Sequence, residues 1–258
     1  MNQAAVLPPL LGARPGRFAS LHRGDRTFFL CIVALIWLGI LMGFVPQIHR
    51  RLVDGATPYP LIVHFHAVIF VGWLVLLTTQ VLLIRARRPD LHRRLGIFGA
   101  VLAAIMIVIG PATALVMHAV TFGHTLKSSP AFLAVQFTDI LGFAGLAGAA
   151  LAWRARPAAH KRLMLLATLY ISDAGFSRWL NAPIGALAGT GFWGQVAAQY
   201  LPSDLVVLAI GTYDVITRGR PQAAYVGGVV WTAALQLIAM RLVFSAWWPP
   251  IANHLVGH

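Results

Sequence analysis

The sequence predicts an all-α membrane protein, a polytopic bundle of seven transmembrane helices in which one helical hairpin is duplicated. Three observations carry that expectation. The chain is 59% hydrophobic and only 10% charged, where a soluble domain is about one quarter charged. Its apolar residues gather into runs of roughly 20, the length that crosses a bilayer as a helix. Its most charged segment also repeats: Arg88-Pro89-Asp90-Leu91-His92-Arg93-Arg94-Leu95 returns as Arg156-Pro157-Ala158-Ala159-His160-Lys161-Arg162-Leu163. Each copy lies between two long apolar runs. A weaker third copy starts at Arg220-Pro221, with Ala224 in place of the histidine. The chain therefore reads as three helical hairpins with basic tips, preceded by one extra helix.

In chain order, residues 1–26 read as a cytoplasmic tail, because they lack a signal peptide's sequence of basic end, apolar run and small-residue cleavage site. Residues 27–248 form the transmembrane domain, with spans at 27–46, 61–84, 92–119, 131–153, 159–180, 200–217 and 222–247. Spans two–three and four–five are the duplicated hairpins. Pro46, Pro60, Pro89, Pro130, Pro157, Pro202, Pro221 and Pro249 mark span edges, as proline suits a first helical turn or the stretch beyond a helix end. Gly110-Pro111 predicts a kink in span three. The Gly- and Ala-rich stretch 181–199 reads as a loop, either an interfacial lid or a loose connector. Asp204 then caps span six. Residues 249–258 are a short periplasmic tail.

The formal net charge of +13 does not point to nucleic acid, because the basic residues sit in short loops between apolar runs. The N-terminal tail and the second, fourth and sixth loops hold most of the arginines, which places the N-terminus in the cytoplasm and the C-terminus in the periplasm of a bacterial inner membrane. Every acidic residue is Asp. Cys31 is the sole cysteine. It excludes internal disulfides and cysteine-cluster metal sites and reads as a buried small side chain.

This orientation puts several ionisable groups at one depth, in the outer third of the bundle. His64 and His66 open span two, and His118 closes span three with His124 beyond it. Asp139 and Asp173 each lie about two turns from the outer end of their spans. Ionisable groups inside a bilayer are costly and face a partner, the bundle interior or a pathway. His64, His66, His118, Asp139 and Asp173 are thus candidate ligands for a divalent transition metal, since imidazole and carboxylate together suit such ions. His64 and His66 are about 200° apart on a helix, and the deeper His66 is preferred. The alternative is structural: Asp173 pairs with Arg178, and Asp139 bonds Gln136 or water.

The inner histidines His92 and His160 are related by the repeat. An approximate two-fold axis along the membrane normal leaves them facing one another or splayed. Facing, they can hold one haem b iron from two sides, with arginines near the propionates. Splayed, they are loop-tip residues at lipid headgroups. Arg241 reads as pairing with an Asp or snorkelling, and His254 and His258 as part of a disordered chain end.

His64-Phe65-His66, Trp73, Gln80, His92-Arg93-Arg94-Leu95-Gly96 and His160-Lys161-Arg162-Leu163-Met164 resemble a group of bacterial multi-pass membrane families. The resemblance covers spans two to five, about half the chain. Related-looking families act in maturation of haem-copper respiratory oxidases, and the four-helix histidine layout is loosely similar to b-type cytochrome cores. The resemblance implies an architecture, not a reaction; haem or metal handling, and respiratory-chain proteins or quinone as partners, are expectations of the functional readings that follow.

Four functions compete. A haem- or metal-binding redox or quinone-linked protein needs the outer His and Asp groups to converge. An assembly factor for a respiratory complex needs no catalysis. A zinc-dependent intramembrane hydrolase needs a His-x-x-x-His pair on the last span, which has none. A transporter needs polar groups at the midplane, where this chain is nearly all apolar.

Overall fold

The computed structural model describes residues 18–55, 58–121 and 127–258. Among them the architecture is all-α: α1 (Asp25–Val53), α2 (Leu61–Arg85), α3 (Pro89–Val120), α4 (Leu133–Ala152), α5 (Pro157–Ala188), α6 (Phe192–Arg218), α7 (Ala223–Val243) and the short α8 (Trp248–Leu255). A 3₁₀ turn, Pro130–Phe132, leads into α4. The first seven helices alternate in direction, so the bundle has two ends. At the basic end, the start of α1 meets the end of α2 through reciprocal Arg26 and Arg85 side-chain bonds to each other's backbone carbonyl. In the far half, Lys127 reaches α5 through the Ser177 carbonyl at 3.0 Å.

The middle of the bundle is α5, which packs on α1, α4, α6 and α7. Its Leu163, Leu165, Leu166, Ala167 and Leu169 are buried. It approaches α1 closely enough that a Cβ on Gly43 would stand 2.2 Å from the Gly175 carbonyl oxygen. Small residues let backbones meet in this way inside membranes.

Among the described residues, five helical stretches are long and apolar enough to cross a membrane: α1, α2, α3, α7, and α4 taken with its leading turn. The two other long helices carry the charges, His160, Lys161, Arg162, Asp173 and Arg178 on α5 and Asp204, Asp214 and Arg218 on α6. The apolar helices surround most of these side chains with protein, so α5 itself need not be lipid-like. Leu61, Phe65, Val68, Val101 and Val108 on α2 and α3 face outward instead.

The structure moves several boundaries. The stretch 181–199 is not a loop: α5 runs on through Pro183 to Ala188, and α6 starts at Phe192. The tight link depends on Gly189, whose φ of 82° favours glycine. Asp204 is consequently an interior residue of α6 rather than its cap, and Gln236 donates to it at 2.9 Å. The terminal segment beyond 247 forms α8, with Ala252 fully buried and the Trp248 indole donating to the Ala131 carbonyl at 2.8 Å. Cys31 is exposed, not buried. Arg241 lies over the Phe192 ring at 4.8 Å.

The two charged repeats start helices in the same way. Pro89 and Pro157 each occupy the first turn, after Arg88 at φ −110°, ψ 63° and Arg156 at φ −113°, ψ 85°. The His92 and His160 amides then donate to those arginine carbonyls at 3.1 and 3.0 Å.

Candidate functional site

Polar side chains gather at three places. At the basic end, Arg162 and Asp214 form an ion pair in which both side chains are fully buried. Beside it, Asp25 accepts from Arg218 at 2.8 Å through both carboxylate oxygens, from Lys161 at 2.5 Å and from the Tyr213 hydroxyl at 2.9 Å. The ring of Phe28 stacks on Tyr213 at 3.9 Å. Lys161 and Arg218 also donate to the Ser20 and Ala19 carbonyls, tying residues 18–25 across the starts of α1 and α5 and the end of α6. Each carboxylate here is paired and hydrogen-bonded, which is the condition under which buried charge is tolerated.

The mid-bundle layer is packed with buried side chains. Trp73 packs edge-on against Phe143 at 5.1 Å and donates to the Thr168 hydroxyl at 3.0 Å.

Beyond that layer, in the far half, α4, α5 and α6 place Asp139, Asp173, Tyr170, Gln199 and Tyr200 in one buried group. Asp173 accepts from Gln199 at 3.3 Å through Oδ2, while its Oδ1 has no partner. Asp139 Oδ1 and the Tyr170 and Tyr200 hydroxyls also lack a hydrogen bond. Tyr170 lies by Thr138, whose hydroxyl is committed to the Ala134 and Val135 carbonyls. Gly142 makes room for the Tyr170 ring, since a Cβ there would stand 2.1 Å from it. The charge of Asp173 acts on Asp139, and both act on the two tyrosines. Among the described residues neither carboxylate is in an ion pair.

Two cations border this group without touching its carboxylates. Arg178 stacks on Phe44 at 4.6 Å and donates to the Ala174 carbonyl at 2.7 Å. Lys127, in the loop before α4, donates to the Ser177 carbonyl. Burial, reinforced by the Arg178 charge, pushes its ammonium down to about 8, and Asp173 opposes that shift.

The third place is the histidine pair. The rings of His92 and His160 lie 6.2 Å apart, centre to centre, at 90°. The two rings are thus neighbours, in an edge-on contact. His160 Nδ1 bonds the Ala150 carbonyl at 2.8 Å, and the Gln80 amide donates to the His92 carbonyl at 3.2 Å.

The residues read as a metal set do not assemble as one. Among the described residues, no group of three or more His, Cys, Asp or Glu is placed to hold an ion. His64 is exposed on α2. His66 stacks on Phe70 at 4.0 Å, and His118 shares a 2.8 Å bond with Gln136. Asp139 and Asp173 do come together. The structural alternative also changes partners, since Gln136 serves His118 rather than Asp139, and Asp173 takes Gln199 rather than Arg178. His124 falls outside the described residues.

The sequence reading missed Asp25, Tyr213, Tyr170, Gln199, Tyr200 and Lys127. The signal available for Asp25 and Asp214 was their scarcity: there are only seven acidic residues in the chain. The tyrosines gave none, because an aromatic in an apolar run reads as core.

No family model matches the chain, and neither a curated protein nor a solved structure does.

Proposed function

We propose that this is an integral protein of the bacterial inner membrane, with its basic end in the cytoplasm, that takes up and releases protons at the Asp139–Asp173 site in its far half. The observation that carries this reading is the pair of buried carboxyl groups, each with an oxygen that no side chain satisfies. Two acids whose charges act on one another, away from water, share protons more readily than they hold two negative charges. Lys127 and Arg178 offset both charges in sum, so an added metal cation is not required for neutrality. Proton relays through membrane bundles use buried carboxyl groups of this kind. The packed Trp73–Phe143–Thr168 layer restricts access to the far side.

A quinone-linked role is the second reading, favoured by the free Tyr170 and Tyr200 hydroxyls. A quinone headgroup presents two carbonyl acceptors, and donors beside protonatable carboxyls match it.

An infrared pH titration of the detergent-purified protein tests the main reading. A protonated-carboxyl stretching band should rise and fall with pH, and Asp139→Asn and Asp173→Asn should each remove or displace it. A titration without such a band, or one that both variants leave unaltered, overturns proton exchange here.

A further inference from the structure

We infer that His92, His160 and Gln80 form a site for one soft transition-metal ion, Cu(I) by preference, at the basic end of the bundle. This site is independent of the Asp139–Asp173 group, which lies on the other side of the Trp73–Phe143 layer. Three observations converge on it. The first is the gap between the rings. With metal–imidazole bonds of about 2.0–2.1 Å, two ligating rings stand roughly 5 Å apart at a tetrahedral angle and roughly 6.5 Å apart when collinear. The observed 6.2 Å falls within that range, so the gap between the rings admits one ion.

The second is the outer support of the rings. His160 Nδ1 bonds a backbone carbonyl of α4, which fixes the tautomer and leaves Nε2 as the free ligand nitrogen, the arrangement that metal-binding imidazoles use. The His92 imidazole lies beside the Gln80 backbone carbonyl of α2.

The third is unsatisfied polarity. Gln80 Oε1 and His92 Nδ1 are both buried without a partner. The Gln80 amide is held against the His92 backbone, so its oxygen is an available third donor. Buried polar atoms without partners are rare and point to an unseen water or ion.

The charge of the surroundings selects among metals. The donors are all neutral, and the charge of Arg93 bears on His92, with Arg94 next along the helix. A monovalent ion is less disfavoured there than a divalent one. The bundle beneath the pair is filled by Leu95, Ala147 and Leu163, so the gap suits a single ion better than a planar macrocycle.

The test uses the full chain in detergent with Cys31→Ser throughout, so that the exposed thiol does not compete. Cu(I) presented from a chelator buffer should be retained at one ion per chain, more tightly than Zn(II). X-ray absorption at the copper edge should show two nitrogen ligands. His92→Ala and His160→Ala should each weaken retention by about 10–100-fold, and Gln80→Leu by less. Failure of the wild-type chain to retain Cu(I), or retention that survives both histidine substitutions, overturns the site. The absorption spectrum of the unsubstituted histidine pair keeps the proposal testable should either variant fail to fold, and a four-coordinate spectrum counts against it.

Discussion

The two ends of the bundle treat buried charge in opposite ways. At the basic end, Asp25 and Asp214 meet Lys161, Arg162 and Arg218 in direct ion pairs. In the far half, Asp139 and Asp173 are as deeply buried, yet their cations stand off on Ser177 and Phe44. Charge that is fully paired holds helices in place. Charge that is left open costs stability and persists where it serves a ligand or a proton. One bundle therefore carries an acidic network that fastens α1, α5 and α6 together and an acidic pair that leaves its oxygens available.

The largest effect should come from cutting the paired network. Arg162→Ala leaves Asp214 buried without its partner and is expected to destabilise the fold by about 3–5 kcal/mol, seen as a fall in the midpoint of thermal or denaturant unfolding in detergent. Replacing both members, Arg162→Met with Asp214→Leu, should recover most of that loss, because an apolar pair of similar volume removes both desolvation costs. A double variant as unstable as the single one would show that the pair does more than satisfy itself.

The far half should answer with the opposite sign. Asp139→Asn replaces a buried carboxyl group that has no ion pair, so stability should hold or rise by about 1–3 kcal/mol, while the carboxyl infrared band is lost. A fall as large as that of Arg162→Ala would make Asp139 a structural acid and erase the contrast between the ends.

A smaller effect belongs to Lys127. Its folded value of about 8 lies below the ordinary lysine value of 10.5, so between those values the unfolded chain binds more protons than the folded one. Stability should therefore rise with pH through that window, and the cost of burying the ammonium is fully present below it. Lys127→Met should flatten the slope between pH 8 and 10.5. An unfolding midpoint with the same slope in both proteins would place the ammonium in water.

How much of this was legible follows from range and residue type. The long apolar runs and the basic hairpin tips gave the helices and their alternation, since both signals are local. The ends of α5 and α6 were hidden because Gly, Ala and Pro183 between 181 and 199 read as a loop, although Ala favours helix and the turn needs only Gly189 to Gly191. The Asp25 network was not legible at all: its partners lie 136 and 193 residues away, and no spacing rule reaches so far. His92 and His160 were legible as related positions because the charged segment recurs in the sequence, and their rings lie 6.2 Å apart. Asp139 and Asp173 were legible through the cost of a carboxyl inside a membrane, but the tyrosines that share their pocket were not.

The repeat offers the finest cut, because it places chemically similar residues in two environments. Arg94 and Arg162 occupy the same position in the two copies. Each lies in the second turn of its helix, after an arginine and proline of matching backbone geometry. Arg94 is exposed, whereas Arg162 is fully buried against Asp214 and beneath Phe18 and Phe29. Local sequence is thus nearly constant between them and only the tertiary setting differs. Arg94→Ala should change stability by less than about 0.5 kcal/mol, as surface substitutions do, against the several kcal/mol expected at Arg162. A comparable loss at both positions would mean that the basic tips themselves hold the fold, through helix starts or headgroup contacts shared by both copies. A loss confined to Arg162 assigns the stabilisation to Asp214, the acid that the first copy does not meet.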